Sequence, residues 1–216
     1  MKQTFIVKNN APTLILFFSG WGMDPTPFQD CNPQNADLMI CYDYRSLEFD
    51  STLLEGYSSI QLIAWSMGVW IASQVMQGHS SPLRKSIAIN GTMYPVDDEK
   101  GIAFSVFHLT LRGLNAASLN KFYRRMCGSS MVYDQFLKKA PQRSLDELKE
   151  ELAYIGERYL SSSPAVFQWD MAVVGQEDRI FLPDHQSKAW INSTLIQYAG
   201  IAHYDADVFQ YYLNCM

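Results

Sequence analysis

Four short segments of this chain hold the residue types that acyl-transfer chemistry requires. Residues 62–68 read Leu-Ile-Ala-Trp-Ser-Met-Gly: an apolar, strand-like run ends, Ser66 occupies a turn, and a helical pattern follows. A serine hydroxyl acts as a nucleophile when a neighbouring base takes its proton and fixed donors receive the oxyanion that forms. The sharp turn that exposes such a serine needs small residues two places before and after it, the pattern usually written G-x-S-x-G. Gly68 meets that need, and Ala64 keeps the smallness where the first glycine would stand. The Met67 N–H, at the start of the following helix, is a candidate oxyanion donor. Taken alone, the segment also suits a serine that only caps a helix.

Three further segments supply the missing parts. Residues 17–24, Phe-Phe-Ser-Gly-Trp-Gly-Met-Asp, place a glycine-bracketed loop after an apolar run, so the Trp21 N–H is a candidate second oxyanion donor; a plain turn would also use these glycines. Residues 175–180, Gly-Gln-Glu-Asp-Arg-Ile, put acids just past the run Met-Ala-Val-Val, with Asp178 the first candidate and Glu177 the alternative. Residues 200–204, Gly-Ile-Ala-His-Tyr, put His203 between the last strand-like run and the last helical one. The other histidines, His79, His108 and His185, have no such setting. Ser66, Asp178 and His203 occur in the chain order of α/β hydrolases, unlike the orders of trypsin-like and subtilisin-like enzymes. The implied chemistry is attack by Ser66 on an ester carbonyl, with His203 as base and Asp178 fixing its tautomer.

These residues need a scaffold that brings strand ends together. Thr4–Val7, Leu14–Phe18, Leu38–Tyr42, Ile60–Ala64 and Lys85–Ile89 read as strands, and residues 67–78 as the helix after the Ser66 turn. Val166–Val174, Thr194–Tyr198 and a closing helix over Asp205–Leu213 complete the pattern. Strands alternating with helices imply crossovers and a mainly parallel sheet, and unbroken apolar runs such as Leu-Ile-Leu-Phe-Phe suit strands covered on both faces. From about residue 95 to 165 the chain is helical and strand-poor. Its clearest helix, residues 145–160, has Leu145, Leu148, Leu152 and Ile155 on one face and a capping box of Ser144 and Glu147 at its start. The expectation is one α/β-hydrolase domain spanning 1–216, its parallel sheet flanked by helices, with a helical lid inserted between the strand ending near 90 and that starting near 166; an ordinary packed helical layer is the alternative.

Composition permits this and argues against other classes. The 216 residues are 48% hydrophobic and 18% charged, with a net charge of −5, a globular balance with no global pull toward nucleic acid. A polar Lys-Asn-Asn and a proline interrupt the N-terminal apolar residues, so no signal peptide is expected. No run is long enough for a membrane helix. Cys31, Cys41, Cys127 and Cys215 are scattered, without a CxxC pair or a histidine at ligand spacing, which suits reduced thiols in a cytoplasmic protein. Nothing calls for a metal or cofactor.

FFSGWGMDPTPF near the start, AWSMGVW at the serine turn, IAINGTMYP and GIAHYD together resemble one family, the short pimeloyl-ACP methyl ester esterases called BioG. The likeness runs from about residue 5 to the C-terminus. The paired tryptophans, Trp21 and Trp65, are its most specific part, and the resemblance implies that both line the substrate pocket. The BioH esterases are similar at both places but are longer and keep the full Gly-x-Ser-x-Gly. In this chain Pro183 lies one residue later after Asp178 than the family pattern has it. The resemblance implies hydrolysis of the methyl ester of pimeloyl-ACP, a step in making the biotin precursor, with acyl carrier protein as partner to what is expected to be a monomer. Charge offers an independent check. Residues 112–143 hold Arg112, Lys121, Arg124, Arg125, Lys138, Lys139 and Arg143 against the single acid Asp134, a net +6 in an otherwise acidic chain. Acyl carrier proteins are strongly acidic, so these seven are candidate docking residues; a solvated helical face without a partner is the plainer reading. The segment lacks the size that a nucleic acid or membrane surface would want. The other readings that the residues leave open are a hydrolase of small free esters or thioesters, a non-catalytic binding protein of this fold and, more distantly, a lyase.

Overall fold

The computed structural model describes residues 1–79, 82–191 and 195–214. Seven strands, β1 (Lys2–Val7), β2 (Thr13–Phe18), β3 (Asp37–Tyr42), β4 (Ser59–Trp65), β5 (Leu83–Ile89), β6 (Met171–Gly175) and β7 (Leu195–Ala199), form one sheet in the order β1-β3-β2-β4-β5-β6-β7. Only the β1–β3 pair is antiparallel; the other five pairs are parallel. The expected mainly parallel sheet is therefore present, and β4, which leads into Ser66, is its middle strand.

Alternation along β2 explains why Leu14 to Phe18 are all apolar. Leu14, Leu16 and Phe18 enter one core with α1 (Gly68–Met76), α5 (Leu145–Ser161) and Trp169. Ile15 and Phe17 enter the other with Phe28, α4 (Ser130–Leu137) and α7 (Ala206–Asn214). A strand covered on both faces has no position to spare for a polar residue.

Four helices lie between β5 and β6: α2 (Phe104–Arg112), α3 (Ala116–Cys127), α4 and α5. The capping boxes at the starts of α3 (Asn115 with Ser118) and α5 (Ser144 with Glu147) are both formed. Leu148, Leu152 and Ile155 of α5 are buried as their spacing predicts, whereas Leu145 is only half-buried. Glu151 lies on the same buried face. After α6 (Pro183–Ala189), β7 and α7 close the chain.

Most boundaries fall within two residues of expectation, and one differs by more. The strand expected from Val166 begins at Met171, and Val166 is 88% exposed. Asp170 sets the start: its Oδ2 accepts the Ser86 N–H at 2.7 Å and the Ser86 Oγ at 2.9 Å, so a side chain holds the neighbouring strand just before the first backbone rung, at Met171 with Ile87. Thr194, where the last strand was expected to begin, and Cys215 lie outside the described residues. Cys31, Cys41 and Cys127 are free and buried.

Candidate active site

All four expected segments leave carboxyl ends of parallel strands, where open α/β sheets place their ligands. Ser66 follows β4, the Gly20–Gly22 loop follows β2, Asp178 follows β6 and His203 follows β7. Ser66 has a φ of 60°, the left-handed region that L residues avoid. The turn that forces it is tightly enclosed. A Cβ on Gly68 would lie 2.3 Å from the Ser19 carbonyl oxygen and 2.6 Å from that of Phe18, and one on Gly91 would lie 2.2 Å from the Ser66 carbonyl oxygen. All three contacts are with backbone, so glycine is demanded at both positions. At Ala64, fully buried between Phe18 and Ala88 of the flanking strands, a methyl group fits where the family of such turns usually has glycine.

Three side chains from three strand ends meet in a line. His203 Nε2 is 2.9 Å from Ser66 Oγ, and His203 Nδ1 is 2.8 Å from Asp178 Oδ2. A carboxylate only accepts, so Nδ1 carries the proton and Nε2 is left to accept the Ser66 hydroxyl. All three residues are buried. Glu177 is exposed and only its backbone is engaged, its N–H donating to the Ile201 carbonyl; of the two candidate acids, Asp178 is the one that meets His203. Asp178 is itself held on both oxygens. Oδ1 accepts the Ile180 and Phe181 N–H groups at 2.7 and 3.0 Å, and Oδ2 accepts Gln186 Nε2 at 3.1 Å. Pro183 opens the helix α6 that carries Gln186, which explains how a proline shifted by one residue still serves the acid.

Two positioning residues near the histidine were not singled out from the sequence. Asn90, at φ 44°, donates from Nδ2 to the Ala202 and His203 carbonyls and accepts the Gly175 N–H on Oδ1. It therefore ties the end of β6 and the loop after β7 to the end of β5. Gln186 bonds Asp178 and the Phe181 carbonyl with one nitrogen, while its buried Oε1 has no partner among the described residues. Only the Asn90-Gly91 pair after an apolar run pointed to a turn there; glutamine on a short helix points to nothing without the fold.

Ser66 opens onto a cavity of about 450 Å³. Trp21, Trp65 and Met67 line it, together with apolar residues of α2 and α3 such as Val106 and Phe122. The Trp65 indole also donates to the His203 carbonyl at 2.9 Å, so this residue fixes the histidine loop as well as the wall. Among the described residues neither the Trp21 nor the Met67 N–H donates to a protein acceptor. No group of three or more His, Cys, Asp or Glu side chains among the described residues is placed to hold a metal.

The seven basic residues of the insertion part company. Ser118, Lys121, Phe122 and Arg125 form the face of α3 that lines the cavity, joined there by Arg179, which sequence reasoning did not single out. Arg124 faces elsewhere, its guanidinium 4.3 Å from the Tyr133 ring centroid. Arg112 is exposed at the end of α2. Lys138 and Lys139 border a separate hollow of about 290 Å³ that excludes Ser66, and Lys139 pairs with Asp30. Arg143 overturns its expectation as a docking residue: its side chain is 5% exposed and pairs with Asp43 at 2.8 Å and Glu151 at 2.6 Å. A guanidinium with two buried carboxylate partners is structural, and no surface partner reaches it.

The family model for "Pimeloyl-ACP methyl esterase BioG" matches residues 1–215. The crystal structure of BioG from Haemophilus influenzae is similar over 97% of both chains, with a TM-score of 0.89 and 36% identity. An esterase (EaEST) from Exiguobacterium antarcticum shares the fold at a TM-score of 0.69 over 98% of this chain and 94% of that one, with 11% identity. A malonyl-[acyl-carrier protein] O-methyltransferase from Bacteroides fragilis (strain 638R) is 52% identical over 198 residues, 91% of this chain; the chain spans 40% of that relative's length. An α/β-hydrolase sheet with its serine turn, matched from residue 1 to 215 by one family model and paralleled over nearly its whole length by a solved member, makes this chain a member of the BioG pimeloyl-ACP methyl esterase family.

Proposed function

We propose that this chain is a serine esterase that removes the methyl group from a pimeloyl methyl ester carried on acyl carrier protein, working as a monomer in the cytoplasm. The observation that carries the chemistry is the unbroken Ser66–His203–Asp178 relay at 2.9 and 2.8 Å beside a cavity. His203 Nε2 takes the Ser66 proton as Oγ attacks the ester carbonyl, and Asp178 stabilises the imidazolium that forms. The Trp21 and Met67 N–H groups receive the oxyanion. His203 then gives its proton to the methoxy oxygen as the acyl C–O bond breaks and methanol leaves, and water attacks the acyl-enzyme with His203 again as base. The apolar walls suit a polymethylene chain, which gains roughly 0.8 kcal/mol for each methylene buried.

In the same reading, residues from about 95 to 165 act as a lid, since α2 and α3 supply one wall of the cavity. Lys121 and Arg125 are the docking residues best placed for an acidic carrier, because they are the cations of the insertion that reach the cavity's edge. Arg112, Arg124, Lys138 and Lys139 are secondary to them. No helix among the described residues is long and apolar enough to cross a membrane.

The test compares turnover of the methyl ester on the carrier protein with that of free monomethyl pimelate. Ser66→Ala should abolish both, since losing a triad member costs on the order of a millionfold. Lys121→Glu with Arg125→Glu should raise KM for the carrier-bound ester alone, and added salt should move wild type in the same direction. Equal losses on both substrates, or a wild type that prefers the free ester, would leave a small-ester hydrolase as the better account.

A further inference from the structure

The loop that carries Trp21 is held from the helical insertion rather than from the sheet alone. Gly20 to Met23 form a turn closed by the Met23 N–H on the Gly20 carbonyl, with Gly22 at φ 77°. Two bonds fasten this turn to α5. The Trp21 indole donates to the Leu148 carbonyl at 2.9 Å, and the Gly22 N–H donates to Glu151 Oε2 at 3.1 Å. The other carboxylate oxygen, Oε1, accepts the Tyr44 N–H at 2.8 Å, from the loop after β3. Glu151 is 0% exposed. Its charge is matched by Arg143, which in turn meets Asp43, and Asp43 meets Lys2 and Arg45.

We infer that Glu151 is a positioning residue for the oxyanion loop: its carboxylate holds the Gly22 N–H, and thereby aims the neighbouring Trp21 N–H at the carbonyl under attack. The inference rests on the esterase reading above, with the Trp21 N–H as an oxyanion donor. The Gly22 and Trp21 N–H groups belong to consecutive peptide units, so fixing one plane fixes the start of the next. A buried ion pair is a poor way to gain stability, because desolvation consumes most of the attraction. The two N–H groups reach different oxygens of this side chain, however, and a carboxylate supplies both acceptors, whereas glutamine keeps one and an apolar residue none. Burial raises the Glu151 carboxyl above its ordinary range, while Arg143 and the bonds from Tyr44 and Gly22 work in the opposite direction. Arg143 thus favours the charged acceptor from 2.6 Å away, which gives this buried arginine its place beside the loop.

The test uses Glu151→Gln alone and together with Arg143→Met, the double variant leaving no unmatched charge at this pair if the single one fails to fold. For each variant that melts cooperatively, kcat and KM on a small nitrophenyl ester are measured, with the inhibition constant of an alkyl trifluoromethyl ketone. That ketone adds Ser66 Oγ to its carbonyl carbon and places the resulting alkoxide where the ester's oxyanion would form. Displaced donors should lower kcat about ten- to hundredfold, short of the roughly hundred- to thousandfold loss of a whole donor. The ketone's affinity should fall by the same factor, and KM should stay within about twofold. A purely structural role would move neither kcat nor ketone affinity in a folded variant, and that result overturns the inference. A fall in kcat without a matching fall in ketone affinity overturns it as well. Either outcome leaves the esterase reading intact as long as Ser66→Ala remains inactive.

Discussion

Replacing Ser66 by glycine should yield a dead protein that is more stable than the one made by replacing it with alanine. The backbone there sits at φ 60°, where the Cβ of an L residue crowds the chain at roughly 1–2 kcal/mol. Gly68 against Ser19 and Phe18, and Gly91 against the Ser66 carbonyl, leave the turn no room to relax. Both substitutions delete Oγ and strand His203 Nε2, so that loss cancels in the comparison. What remains is the Cβ. Glycine relieves the left-handed strain and gives back roughly 0.4–1 kcal/mol because the unfolded chain gains freedom. The difference leaves Ser66→Gly ahead by about 1 kcal/mol, which for a domain of this size is about 2–4 °C in Tm. Thermal melts of the two variants, followed by circular dichroism at equal concentration and pH, measure it directly. An alanine variant that melts at or above the glycine one would refute the idea that this turn stores strain.

Other expectations are simpler to read. Asp178→Asn should keep the fold and lower turnover about ten-thousandfold, the size of the same change in a trypsin-like triad, while Glu177→Gln should stay near wild type; the reverse ranking in a steady-state assay would contradict the geometry. Burial pushes the Cys31 thiol up to about 11 and that of Cys127 up to about 12, and raises Cys41 too. A raised thiol holds its proton further above neutrality, and thiolate is the reactive form. Iodoacetamide at pH 8 should therefore spare all three in the native protein and label them after denaturation, as peptide mass mapping would resolve; native labelling of Cys127 at the unfolded rate would argue against its burial.

Much of this protein was legible in the sequence because local rules act over a few residues. The serine turn needs small neighbours, so Ala64, Ser66 and Gly68 announce it. The strands of a doubly covered sheet need unbroken apolar runs, so β2, β3 and β4 were placed within a residue or two. Chain order alone related Ser66, Asp178 and His203. Where local rules failed, a distant partner had intervened. Val166 to Trp169 look like strand, but Asp170 bonds Ser86 and the ladder starts after it. Arg143 looks like any cation in a basic stretch, and only folding brings Asp43, one hundred residues earlier, against it. Glu151 lies within a periodic helix whose pattern would make any carboxylate there a flaw. Its meaning depends on Gly22 and Tyr44, from two different strand ends, arriving at its two oxygens. Lys121 and Arg125 separate from Arg124 by the rotation of α3 about its axis, which adjacent residues in the sequence cannot reveal. The sequence by itself determined the type of scaffold and which residues were candidates for the chemistry, since those follow from spacing and periodicity. Tertiary structure decided which charges line the cavity and which are buried in ion pairs, because that depends on partners that only the finished packing brings within hydrogen-bond distance.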